Sequence, residues 1–135
     1  MAWIEPKTNW TSAEYFNATD YNRIIGNLTH LKALADDLFA NLTNVSLGEE
    51  KTVESLIYAK EINDIEQALE KLNLETYGFN IGETQEYMAN TSTPLWSEFN
   101  RIEGAILLLY NQMFNHKQNL TRLAFTLGNQ KGIRV

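Results

Sequence analysis

The sequence predicts an all-α protein, a three-helix unit built from repeated amphipathic helices, and two observations carry that prediction. The first is a stripe of four apolar residues that occurs three times: Tyr21, Ile24, Leu28 and Leu31; Ile62, Ile65, Leu69 and Leu72; Phe99, Ile102, Ile106 and Leu109. Alternating steps of three and four residues put each set on one narrow face of a helix, the pattern that lets helices bury a face against one another. The second is an asparagine directly after the first stripe residue each time, Asn22, Asn63 and Asn100. An amide at the flank of a buried face serves to bond backbone groups or other amides and so to fix register.

Taken in order, residues 1–18 read as an extended N-terminal arm. Pro6 removes a backbone donor and favours an extended path, with Trp3 and Trp10 on either side of it. Such an arm either straps over its own helices or anchors in a neighbouring subunit, and both predict buried tryptophans. Thr11 and Glu14 have capping-box spacing, predicting a short helical turn over Ser12 to Phe16, and Asn17 or Thr19 is suited to cap the first long helix, from about Asp20 to about Phe39. Residues 41–51, polar and containing Gly48, form a loop. Thr52 and Ser55 offer the next cap, for a helix from Val53 to about Leu72. It turns Leu56, Ala59 and its stripe inward, and Glu61, Asp64, Glu66, Glu70 and Lys71 outward.

Between residues 73 and 93 the period fades, and a loop of that length marks a functional or interface segment. Thr93-Pro94 supplies a cap and a proline at the first helical position, starting a third helix that runs to about Lys117 and completes a helical domain over 19–117. That helix is apolar almost all round between Ile102 and Phe114, more than two sister helices can cover, which predicts a homo-oligomer. The remainder, 118–135, has strand-like residues on either side of Gly128-Asn129 and reads as a tail with a short C-terminal β-hairpin, marginal alone, that either pairs with a partner or frays.

Composition narrows the function classes. The 135 residues carry a net charge of -6, with eleven scattered Lys and Arg, which argues against nucleic acid as a partner. The absence of cysteine removes disulfides and thiolate chemistry. The longest apolar run, Ala105 to Tyr110, is far short of a bilayer span, so no membrane insertion is expected, and the first residues lack the pattern of a signal peptide. His30 and His116 lie in different helices without a ligand at i+3 or i+4, and read as exposed helix histidines. The adjacent acids Asp36-Asp37 and Glu49-Glu50 read as solvated surface. Only Glu61, Glu66 and His30 are available to an acid–base site, and no metal, cofactor or catalytic residue is expected. Seven Asn-X-Ser/Thr triplets reflect an Asn- and Thr-rich composition.

The run Trp3-Ile4-Glu5-Pro6-Lys7-Thr8-Asn9-Trp10, continued by Phe16-Asn17-Ala18-Thr19-Asp20-Tyr21-Asn22-Arg23-Ile24, resembles N-terminal segments of tail and baseplate-associated structural proteins of phages and prophages of Gram-positive bacteria. Phe99-Asn100-Arg101-Ile102 is a partial echo. The resemblance implies a non-enzymatic virion component, made in the bacterial cytoplasm, that works by assembling with copies of itself and other virion proteins. Trp3, Trp10, Trp96, Leu107, Leu108 and Phe125 are the expected interface residues, because large apolar side chains dominate interface energetics. The alternative expectation is a binding adaptor that presents the 73–93 loop, aromatic and exposed, to a host receptor or fibre protein.

Overall fold

A computed structural model describes residues 3–44, 47–52, 57–88 and 95–129, the side chains of 124–129 excepted. It contains three helices, α1 (Ala18–Leu38), α2 (Ala59–Glu75) and α3 (Trp96–Asn129). All twelve stripe residues are buried, none more than 4% exposed, and they form one core with Trp10, Ala35 and Met113. Each helix touches the other two.

Contacts between α1 and α3 fix their direction. Arg23 meets Glu103, His30 meets Tyr110, and Asp37 meets Lys117, so successive pairs advance by one heptad along both helices. These helices therefore run parallel and in register. Arg101 of α3 meets Glu66 midway along α2, and His116 meets Tyr77 just past its end, which sets α2 parallel as well. Three parallel helices in one chain require long return connections, and the segments before each helix are those connections. Strap 1 (residues 3–17), strap 2 (39–58) and strap 3 (76–95) run back along the bundle, free of regular structure apart from turns among their described residues.

Capping follows the sequence closely at α1. Asn17 accepts from the Asp20 N–H and the Asp20 carboxylate accepts from the Asn17 N–H, a reciprocal capping box. Thr11 and Glu14 make the expected cap contacts, but the chain closes one turn there and no helix. The second helix starts later than its periodicity suggests: Ile57 and Tyr58 are non-helical, and Glu61 reaches back to the Tyr58 N–H to cap the chain there. The expected helical stretch 53–56 and the Thr93-Pro94 start lie outside the described residues.

The strand-like reading of the tail is corrected. Helix α3 continues through 118–129, so no hairpin can form about Gly128-Asn129. Leu120, Arg122, Leu123 and Ala124 are good helix formers, and adding residues to an existing helix costs far less than nucleating a new one. Residues 130–135 lie outside the described residues. At 34 residues, α3 spans about 51 Å against about 32 Å for the 21-residue α1. Its last thirteen residues from Lys117 overhang the bundle beyond Asp37 and Tyr77.

Candidate interaction surface

The three repeated asparagines do one job. Asn22 donates to the Lys51 carbonyl at 2.8 Å and accepts from the Lys51 N–H at 2.7 Å. Asn63 holds Tyr87 in the same two-bond way, at 2.8 and 2.7 Å, and Asn100 holds Trp10, at 3.1 and 2.8 Å. A carboxamide carries the same donor and acceptor as a peptide group, so each Asn stands in for one residue of a pairing strand. Strap 2 is thus clamped to α1, strap 3 to α2, and strap 1 to α3. The order is cyclic, and strap 1 closes it. Asn27 and Asn73 add like clamps on Ile4 and Phe79.

Two buried carboxylates lock the helices. Glu103, fully buried, accepts from Arg23 Nε at 2.7 Å and Nη2 at 2.8 Å, from Trp10 Nε1 at 2.7 Å and from the Lys7 N–H at 3.0 Å. Glu66 takes the Arg101 guanidinium at 2.7 Å, the Tyr87 hydroxyl at 3.1 Å and the Gln85 N–H at 3.3 Å. Glu66 is 1% exposed, which overturns its outward placement: a carboxylate beside the stripe is drawn in once an arginine from the next helix meets it. Burial alone would lower the basicity of Arg23, but its bonds to Glu103 and Asp20 hold the guanidinium above its ordinary range. Burial, reinforced by Glu66, pushes the Tyr87 phenol up. On the third side of the bundle no such lock forms: Asp64 pairs with Lys60 of its own helix, and Ile25 stands where Glu66 and Glu103 stand.

These buried charges are consumed by donors inside the fold, and a further group of titratable side chains is closed in the same way, Lys51 pairing with Glu61 beside the Tyr21 ring. Among the described residues no three His, Cys, Asp or Glu are grouped to hold a metal ion. Among the described residues no helix is long and apolar enough to cross a membrane. Both histidines are half-buried, contrary to their expected exposure: His30 lies beside Trp3 and Tyr110, and His116 Nδ1 is 2.9 Å from the Tyr77 hydroxyl. They are drawn in because straps 1 and 3 lay aromatic rings over these faces of α1 and α3.

Of the expected interface residues, Trp10 is 3% exposed and sits in the chain's own core, while Trp3 stacks on Tyr110 at 3.8 Å. The arm is therefore a strap over its own helices. Trp96 and Leu108 are each 43% exposed, Leu107 is half-buried, and Phe125 lies in α3 with its side chain outside the described residues. The 73–93 segment turns Tyr77, Phe79, Ile81 and Tyr87 against the core. Exposed apolar side chains remain in this segment at Leu74 and Met88, and others lie along α3 and its overhang at Leu108, Phe114, Leu120 and Leu123.

Sequence reasoning passed over the two locking glutamates and the overhang. The glutamates had a signal: Asn63-Asp64-Ile65-Glu66 and Asn100-Arg101-Ile102-Glu103 share the spacing Asn-x-Ile-Glu. The overhang had one as well, since the alternation of Phe99, Ile102, Ile106 and Leu109 continues through Met113, His116, Leu120, Leu123 and Leu127. No family model, curated protein or solved structure matches the chain.

Proposed function

We propose that this protein is a non-enzymatic structural component of a phage tail or baseplate that acts by oligomerisation. The observation that carries the reading is the overhang of α3, an amphipathic helix whose Leu120 and Leu123 are left exposed by the described residues. The phage-like motif supports it in a specific way. Trp10, Asn17, Asp20 and Arg23 from that motif build the strap, the cap and the Glu103 lock, so the motif describes a scaffold for presenting α3. The adaptor reading calls for an exposed aromatic 73–93 loop, and the inward packing of Tyr77, Phe79, Ile81 and Tyr87 gives it no support.

Phage particles purified from a bacterium that encodes the chain provide the test, with peptide mass spectrometry of the particles as the readout. The expected result is recovery of the chain with the particles at a copy number comparable to known tail proteins. Finding it in the lysate and absent from the particles would overturn the virion assignment.

A further inference from the structure

We infer that strap 1 is exchanged between copies. It seats in the groove between α1 and α3 of a second copy and that copy's strap 1 returns the contact, making a twofold dimer of two bundles set head to head at their helix starts. The inference rests on the assembly reading and names the element that performs it.

The groove recognises strap 1 through helix side chains. Asn27 of α1 takes both backbone groups of Ile4, and Asn100 of α3 takes both of Trp10. Glu103 accepts from the Lys7 N–H at 3.0 Å and from Trp10 Nε1 at 2.7 Å, and Tyr110 stacks on Trp3 at 3.8 Å. These contacts depend on what the strap is and not on which bundle it is attached to, so strap 1 of another copy makes the same set. Straps 2 and 3 are each tied to a helix at both ends. Strap 1 leads into α1 alone, and no helix among the described residues precedes it.

The link that opens is local. Between Trp10 and Phe16, which stacks on Phe99 at 4.1 Å, the chain closes one turn whose bonds stay within the strap. The Glu14 N–H donates to the Thr11 carbonyl at 3.1 Å, and the Glu14 carboxylate accepts from Thr11 and from Lys7. Extended, the six steps from Trp10 to Phe16 span ~20 Å. Phe99 and Asn100, which hold the two ends of the link, lie about 6 Å inside the start of α3. Two bundles joined by such links therefore face each other across roughly 8 Å, one layer of side chains.

That layer is already on the surface. Tyr15, in the link itself, is 89% exposed, and the helix starts carry Tyr58 at 60%, Leu95 at 65% and Trp96 at 43%. Parallel helices bring all four to one end of the bundle. In the head-to-head dimer the two links cross at the twofold axis and the aromatic end of each bundle covers the other. Closure within one chain has the advantage of a short tether, an effective concentration on the order of millimolar. Exchange keeps every strap contact and adds the burial of these ends, which offsets that advantage.

Full-length chains provide the test. The parent should have a solution mass of twice 15.5 kDa by light scattering. The chain has no cysteine, so Ser12→Cys, exposed in the link, gives one spin-label site, and crossing links put two labels within about 25 Å. Trp10→Ala spoils the donated strap and Glu103→Ala spoils the groove, so each variant alone holds only defective joints. Mixed, they can pair the intact strap of one with the intact groove of the other. The mixture should then contain a species with one chain of each kind that melts above either variant by itself. A mixture that melts as the sum of its two components would overturn the inference. So would a monomeric parent or label separations beyond about 25 Å, readouts that do not depend on either variant folding. A monomeric chain still recovered with phage particles would overturn the exchange and leave the virion reading standing.

Discussion

Asn100 shows what a single carboxamide does in this molecule. It donates to one backbone carbonyl and accepts from the N–H of the same residue, Trp10, and no other short side chain offers both at that spacing. Asn100→Ala leaves both strap groups without a partner and should cost about 1–3 kcal/mol in urea unfolding. Asn100→Asp keeps the acceptor, loses the donor and sets a second carboxylate near Glu103, so it should destabilise to a similar extent. A variant as stable as the parent would show that the clamp contributes nothing. Tyr21 is the opposite case, a buried hydroxyl that makes no well-formed hydrogen bond and has the Glu61 carboxylate beside it. Burial first, then the negative charges of Glu61 and Asp64, push its phenol up to about 12 from an ordinary 10.0. With the folded-state value raised, the contribution is fully present below pH 10 and is lost as pH rises towards 12, because the unfolded chain gives up its proton first. Tyr21→Phe should match or exceed the parent in stability at pH 7 and flatten that alkaline fall; an unchanged alkaline limb would assign the fall to other groups.

The helices and the straps were legible to very different degrees. Helix burial follows from a period that a sequence displays, and the twelve stripe residues lie where that period puts them. A strap has no period of its own, since side chains of the neighbouring helix satisfy its backbone groups; residues 76–88 looked like an irregular loop for that reason. The parallel course of the helices was hidden too, because nothing local in Lys51 or Tyr87 says which asparagine will hold it. The reach of α3 was masked differently: Thr121, Phe125 and Thr126 favour strands weakly, and helix propagation outweighs that preference. Strap 3 does contain one backbone constraint that a substitution can probe. Gly82 has φ +85°, and a Cβ there would stand 2.6 Å from Cδ of Arg101, whose guanidinium is bound to Glu66 and Glu98. Gly78 has φ +64° with open space around it. Gly78→Ala should therefore cost only the left-handed backbone penalty of about 1–2 kcal/mol. Gly82→Ala should cost more, by displacing the arginine as well; equal losses for the two in parallel urea titrations would show that the Arg101 contact yields freely.

At the scale of the whole molecule, three strap-and-helix units form a ring in which each strap lies on the helix of the unit before it. Two of those dockings are made by covalently adjacent units. The third, strap 1 on α3, joins opposite ends of the chain and is held only by non-covalent contacts. It is also dense: Trp10 fills the core and bonds Glu103, Asn100 clamps the Trp10 backbone, and Lys7 adds its N–H to the same carboxylate. Burying one tryptophan removes on the order of 150–250 Å² from water, equivalent to ~4–6 kcal/mol at 25 cal/mol per Å², a large share of any domain's stability. A chain lacking residues 1–16 keeps the Asn17 cap and every residue of the three helices, yet leaves Glu103 with Arg23 as its only remaining partner among those described. It should melt well below the full chain. A synthetic peptide of residues 1–16 should restore the melting temperature in a concentration-dependent way, because the vacated groove still offers Asn100, Glu103 and the Trp10 pocket in register. A peptide carrying Trp10→Ala should fail at concentrations where the parent peptide succeeds. Recovery by both peptides alike would place the closing energy elsewhere along the strap, and recovery by neither would mean that α3 needs its strap covalently present in order to fold.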